Sequence, residues 1–170
     1  MHLTDTILLL LSTALVVVMI VVFARPVLLL YLWAGPVSLV GLALAALARL
    51  TGGSVRLVNG VLEASGGILR PLLGRGIPRF SIDALTLGHV ILGTDPGALD
   101  RNRRHERVHV AQFARFGCLF PFAYLAAGLL ARLQGRSGYG GNRFEREAVR
   151  AEADERELAR TTAAADRPRA

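Results

Sequence analysis

Two uncharged apolar runs at the start of the chain restrict its fold more than any other feature. Residues 7–23 (ILLLLSTALVVVMIVVF) and 27–48 contain no charged side chain, and only Ala24, Arg25 and Pro26 separate them. At about 1.5 Å per helical residue, the first run approaches the ~30 Å needed to cross a bilayer and the second exceeds it. A cleavable signal peptide is disfavoured: residues 1–6 carry neither Lys nor Arg, and a second apolar run follows at once. One span followed by a broken interfacial segment is a second reading, because Gly35-Pro36 interrupts the longer run. A charged Arg beside a proline makes a poor centre for one straight helix. The favoured expectation is therefore a transmembrane helical hairpin over residues 1–50 turning at Arg25-Pro26.

Composition narrows the rest. Hydrophobic residues make up 52% of the 170 and charged residues only 19%, which excludes an intrinsically disordered chain. A single cysteine, Cys118, excludes an intramolecular disulfide framework and a Cys-rich zinc knuckle. The formal charge is +7, and every basic residue is Arg. These Arg residues are dispersed and do not alternate with aromatics, so nucleic acid is not the expected partner. They flank apolar segments, as residues near anionic lipid headgroups do. Arg49, Arg56, Arg70 and Arg75 follow the apolar runs while the N-terminal flank has no Arg. The positive-inside bias then places the remaining domain on the cytoplasmic side of the membrane, with Arg25 a weak counter-signal.

Residues 51–160 read as an α+β domain, with a flexible tail over 161–170. Asn59-Gly60 between two β-branched runs predicts a hairpin. Residues 68–79 look irregular, and 81–92 look like a further strand. Asp95-Pro96 predicts the start of a helix reaching Phe116 and stopped by Gly117. Pro121 opens an apolar helix to about Leu133. A Gly-rich loop over 135–141 precedes Asn142, an expected N-cap for a charged helix ending near Arg160.

The chemistry lies on two of these helices. His105-Glu106-Arg107-Val108-His109 is an HExxH, and its two imidazoles project from one helical face. That spacing suits one Zn²⁺ per chain, with Glu106 beside the metal as a general base. The competing reading is a helix with two solvent-facing histidines. An open catalytic zinc site takes three protein ligands, and Glu145 is the candidate third. Glu145 also sits three residues after Asn142, where it would complete a capping box instead. Glu147 is an alternative ligand. Gln112, on the face of His109, is a candidate accessory residue. His89, in an expected strand ahead of the HExxH helix, is another, and Tyr139 is a candidate oxyanion stabiliser.

HExxH followed by a ligand Glu on a later helix resembles zinc metallopeptidases of the gluzincin type. Phe144, Glu145 and Ala148 match the FExxAD motif of membrane-embedded zinc peptidases, with Val149 where that motif has Asp. More closely, the segments HERVHVAQFARFG, FPFAY and YGGNRFEREA resemble small bacterial membrane-anchored proteins sharing HExVHxxQ and NxFExEA. This likeness covers about residues 80–150. It implies a minimal zincin-like domain in which His105, His109 and Glu145 hold zinc. A metal-activated water would hydrolyse a peptide or protein substrate, with Glu106 as the general base. A strand near residues 87–91 would align the peptide. A membrane-anchored interaction module that keeps the same fold, with or without zinc, is the alternative.

Overall fold

The computed structural model describes residues 3–75 and 82–165, with side chains placed for 12–19, 33–74 and 82–162. Residues 76–81 and 166–170, which include parts of the expected loop and tail, lie outside the described residues. The fold is α+β, a small four-stranded sheet with helices.

Helix α1 spans Leu3–Leu50 without a break, so the expected hairpin is not formed. Hydrogen-bond arithmetic accounts for this. Each proline removes one backbone donor, whereas a turn at 25–26 would create two new helix ends with up to about four unpaired groups each. In an apolar medium the second cost is much larger. The 48 residues of α1 extend about 72 Å, more than twice a bilayer core. Its last third serves two surfaces. Ala34, Ser38, Ala45 and Ala48 are buried against the domain, while Trp33, Leu39, Leu42, Leu47 and Leu50 are exposed. Among the described residues, Trp33–Leu50 and Pro96–Leu133 are long and apolar enough to cross a membrane.

Strands β1 (Ser54–Val58) and β2 (Val61–Ser65) form the expected hairpin, with positive φ at both Asn59 and Gly60. Helix α2 (Leu69–Arg75) lies where the sequence looks irregular. Residues 84–93 then make two strands rather than one: β3 (Ala84–Leu87) and β4 (Val90–Gly93), joined by a turn at Gly88-His89. The apolar periodicity runs straight through that turn, which is why it reads as a single strand. The sheet order is β1-β2-β4-β3, with β4 parallel to β2 and antiparallel to β3. Among the described residues β3 is therefore an edge. Val90 and Leu92 pack with Leu69 and Leu73 of α2 and Ala45 and Ala48 of α1 in one core.

Helix α3 (Pro96–Phe116) starts as expected, with Asp95 Oδ1 accepting from the Ala98 amide at 2.9 Å. Gly117 ends it, and a 3-10 turn leads into α4 (Phe120–Leu133). Helix α5 (Arg143–Ala165) runs beyond the expected end at Arg160. Thr161 and Thr162 return their hydroxyls to the Leu158 carbonyl, and the alanines that follow favour continuation. A second core of Phe113, Phe120 and Phe144 locks α3, α4 and α5 together.

The first half of α3 is tied to the sheet by ions. Glu63 on β2 has a fully buried side chain and accepts from Arg103 Nε at 2.8 Å and from Arg56 Nε at 3.0 Å. Asp100 accepts from Arg56 and Arg103. Burial pushes the Glu63 carboxyl up, but the two guanidinium groups outweigh it and hold its pKa below the ordinary value.

Candidate metal centre

Helix α3 carries His105 and His109 on the face that meets α5, and their rings lie 4.9 Å apart. The first turn of α5 supplies Glu145, only 3% exposed. Asn142 positions that turn. Its own side chain is wholly buried, with Oδ1 accepting from the Phe144 amide and Nδ2 donating to the Tyr124 carbonyl. The Asn142 amide donates to Tyr139, so Glu145 is not the closing residue of a capping box. It turns instead to the histidines, with its oxygens 3.1 Å from His105 Nε2 and 3.4 Å from His109 Nε2.

The surrounding partners determine which nitrogens are available. His105 Nδ1 lies 3.0 Å from Glu152 Oε1, and a carboxylate only accepts, so Nδ1 carries the hydrogen. His109 Nδ1 lies 2.8 Å from Gln112 Oε1. The orientation of that amide follows from its other end, where Nε2 donates to the Phe144 carbonyl and to Glu147 Oε2. His109 is therefore also protonated at Nδ1. In the neutral rings both Nε2 lone pairs then face the Glu145 carboxylate, so three acceptors converge with no donor between them. That donor set is satisfied by a cation. His105, His109 and Glu145 each offer one ligand atom, all within 4.8 Å of one another, and so form a buried group able to hold a metal ion. The 3.1 and 3.4 Å spacings match the ~3.4 Å expected between tetrahedral ligands about 2.1 Å from a common ion.

Electrostatics agree with that charge demand. Burial disfavours the imidazolium form of both histidines. Contact with Glu145 outweighs it, aided by the Glu106 charge at both rings and the Glu152 charge at His105, and both pKa values rise. Burial pushes Glu145 up, but His105, His109 and the Tyr124 and Tyr139 hydroxyls hold its carboxyl far below the usual range. Tyr124 of α4 donates to Glu145 Oε1 at 2.6 Å. Glu106, 6% exposed, is pushed up by burial against the lowering effect of Thr86, whose hydroxyl donates to Glu106 Oε2 at 2.7 Å.

Comparisons with protein families, with curated proteins and with solved structures return no match. What the centre can do follows from its own geometry.

The fate of each expected residue is specific. His105, Glu106, His109 and Glu145 come together, and Gln112 supports His109. Glu147 is a partner of Gln112 and not a member of the ligand group. Tyr139 is 56% exposed along its length, yet its hydroxyl and Glu145 are near enough to shift each other's titration. His89 is placed elsewhere. It lies in the β3–β4 turn, where its Nδ1 and its amide both meet the Ser38 hydroxyl of α1. Three contributors were not anticipated. Glu152 follows Glu145 by seven residues, two helical turns, so helical periodicity was enough to find it. It orients His105 where Val149, exposed on α5, stands in place of the motif's Asp. Thr86 and Tyr124 had no local signal, because each reaches the centre from a separate element.

Proposed function

We propose that this chain is a membrane-anchored zinc-dependent metallopeptidase, held in the bilayer by α1 with its metal centre on the cytoplasmic side. One observation carries the reading: two imidazoles fixed at Nδ1 present Nε2 to a buried carboxylate, with a second buried carboxylate beside them. Two nitrogens and one oxygen make a three-ligand set of the kind catalytic zinc uses. A pair of histidines and a carboxylate also suits non-haem iron. The HExxH arrangement favours zinc, because an adjacent general base serves hydrolysis.

Bound zinc supplies Lewis acidity, lowering the pKa of water and polarising a carbonyl. The protein residues do the rest. Thr86 fixes Glu106 through Oε2, and Oε1 then takes the proton of the attacking water and returns it to the leaving amine. The raised pKa of Glu106 suits that exchange. Glu152 and Gln112 keep the histidines in the ligating tautomer. Both tyrosine hydroxyls interact with Glu145, and Tyr139, whose ring is exposed where that of Tyr124 is half-buried, is the candidate for steadying the oxyanion. Edge strand β3 carries Thr86 and is where an extended peptide can add, one strand away from the central β4.

The test is metal content per chain, measured on detergent-purified full-length protein and on His109→Ala, beside hydrolysis of a fluorogenic peptide library. About one zinc in the parent, almost none in the variant, and chelator-sensitive cleavage are expected. Iron in place of zinc, or zinc retained by His109→Ala, would defeat the proposal. Bound zinc with no hydrolysis of any peptide would favour an interaction module instead.

A further inference from the structure

Helix α4 has two faces of opposite exposure. Phe120, Ala131 and the partly buried Ala123, Tyr124 and Ala127 turn inward. The outward arc presents Leu119, Phe122, Leu125, Leu129, Leu130 and Leu133, each more than half exposed. At 100° per residue these six positions fall within about 140° of arc, one continuous stripe. Its 14 residues extend about 21 Å, too short to cross a bilayer core.

Charge marks what covers the stripe. From residue 107 to residue 144 the chain contains no Asp or Glu, but five Arg. Exposed Arg115 and Arg143 stand over the Phe116 ring at one end of α4, and exposed Arg132 and Arg136 lie at the other. An apolar face with cations at both ends fits an anionic lipid surface. The N-terminal end of α4 is also held against α1. Gly117, just ahead of α4, packs so closely on the Trp33 ring of α1 that a Cβ would overlap it, and Val37 joins the Phe113–Phe120–Phe144 core.

We infer that α4 is a second membrane element, lying in the interface of the same bilayer that α1 enters, its leucine stripe among the acyl chains and its arginines among anionic headgroups. This rests on the reading of α1 as the membrane anchor, and not on peptidase activity. Tyr124, on the opposite side of α4, bonds Glu145. The metal centre then sits about one helix diameter, ~10 Å, from the acyl region.

The experiment uses the full chain in phosphatidylcholine–phosphatidylglycerol vesicles, in a Cys118→Ser background with one environment-sensitive fluorophore per variant. Labels go on Leu125→Cys and Leu129→Cys, on Val17→Cys in α1, and on Leu158→Cys in α5. Leu125 and Leu158 are both 68% exposed, so they compare like with like. The 125, 129 and 17 labels should shift to the blue, lose most of their emission to acyl-chain doxyl lipids and resist iodide; the 158 label should do the reverse. A 125 label quenched by iodide while the 17 label is quenched by doxyl lipid would overturn the inference and leave the anchor standing. A 17 label untouched by doxyl lipid would remove the anchor and the inference with it. A 125 label shielded from both quenchers would mean that protein, such as a second copy, covers the stripe, and would also overturn it.

Discussion

Helix α3 meets two polar clusters, each built on a buried carboxylate, and they differ in charge balance. Toward its N-terminus, the carboxylates of Glu63 and Asp100 are matched by the guanidinium groups of Arg56 and Arg103. About one and a half turns on, Glu145, Glu106 and Glu152 surround two imidazoles that are neutral in the ligating state, and of these carboxylates Glu152 has a guanidinium partner, the exposed Arg156 at 3.2 Å. The first cluster is complete without any ligand. The second is short of positive charge at the point where its acceptors converge. Burial alone does not separate them, since Glu63 is as inaccessible as Glu145. The lesson is that a self-neutralised cluster holds elements together, whereas an unbalanced one is built to receive something.

The sharpest break would come from the ligands. Glu145→Ala should lower metal affinity by more than about 100-fold, above the loss typical of an outer partner. Glu147→Ala should barely change it. Equal occupancy of the two variants in a metal titration would dissolve the distinction between ligand and neighbour. Next in size, Glu106→Gln should keep the metal and reduce hydrolysis by about 10²–10⁴-fold. Unchanged turnover would remove the proton-transfer role. Glu152→Ala should weaken metal binding by about 10–100-fold, because His105 loses the partner that fixes its tautomer.

The balanced cluster should respond in stability and not in metal binding. Glu63→Gln leaves partly solvated arginines without their buried partner and should cost about 3 kcal/mol or less, read from denaturant unfolding. Metal stoichiometry of the folded fraction should stay the same. The acid dependence has a definite sign. Because the folded pKa of Glu63 lies below its ordinary value of 4.5, its contribution is complete above that value and fades as pH falls through the lowered one. Melting temperatures of the parent should therefore drop more steeply in that acid range than those of Glu63→Gln. Parallel curves would show that this pair adds nothing to stability.

Local order in the sequence carried much of the fold. Asn59-Gly60, Asp95-Pro96 and Gly117 are stop and start signals whose physics is complete within a few residues, and the corresponding hairpin and helix ends are where they are expected. The same local reasoning failed at Arg25-Pro26 and at Gly88-His89. At the first, the competing cost was the unpaired backbone of a broken helix, which depends on the surrounding medium. At the second, apolar alternation continued through a turn that is held by Ser38, 51 residues away.

The sequence by itself determined which groups can ligate, since i, i+4 spacing puts His105 and His109 on one face whatever the rest of the chain does. Tertiary structure alone decided what they meet. The choice of Glu145 over Glu147, the capture of His89 by α1, and the arrival of Thr86 and Tyr124 all depend on how separate elements pack. Helical periodicity places a side chain on a face; only packing determines which neighbours that face encounters and how much water is left there to screen its charge.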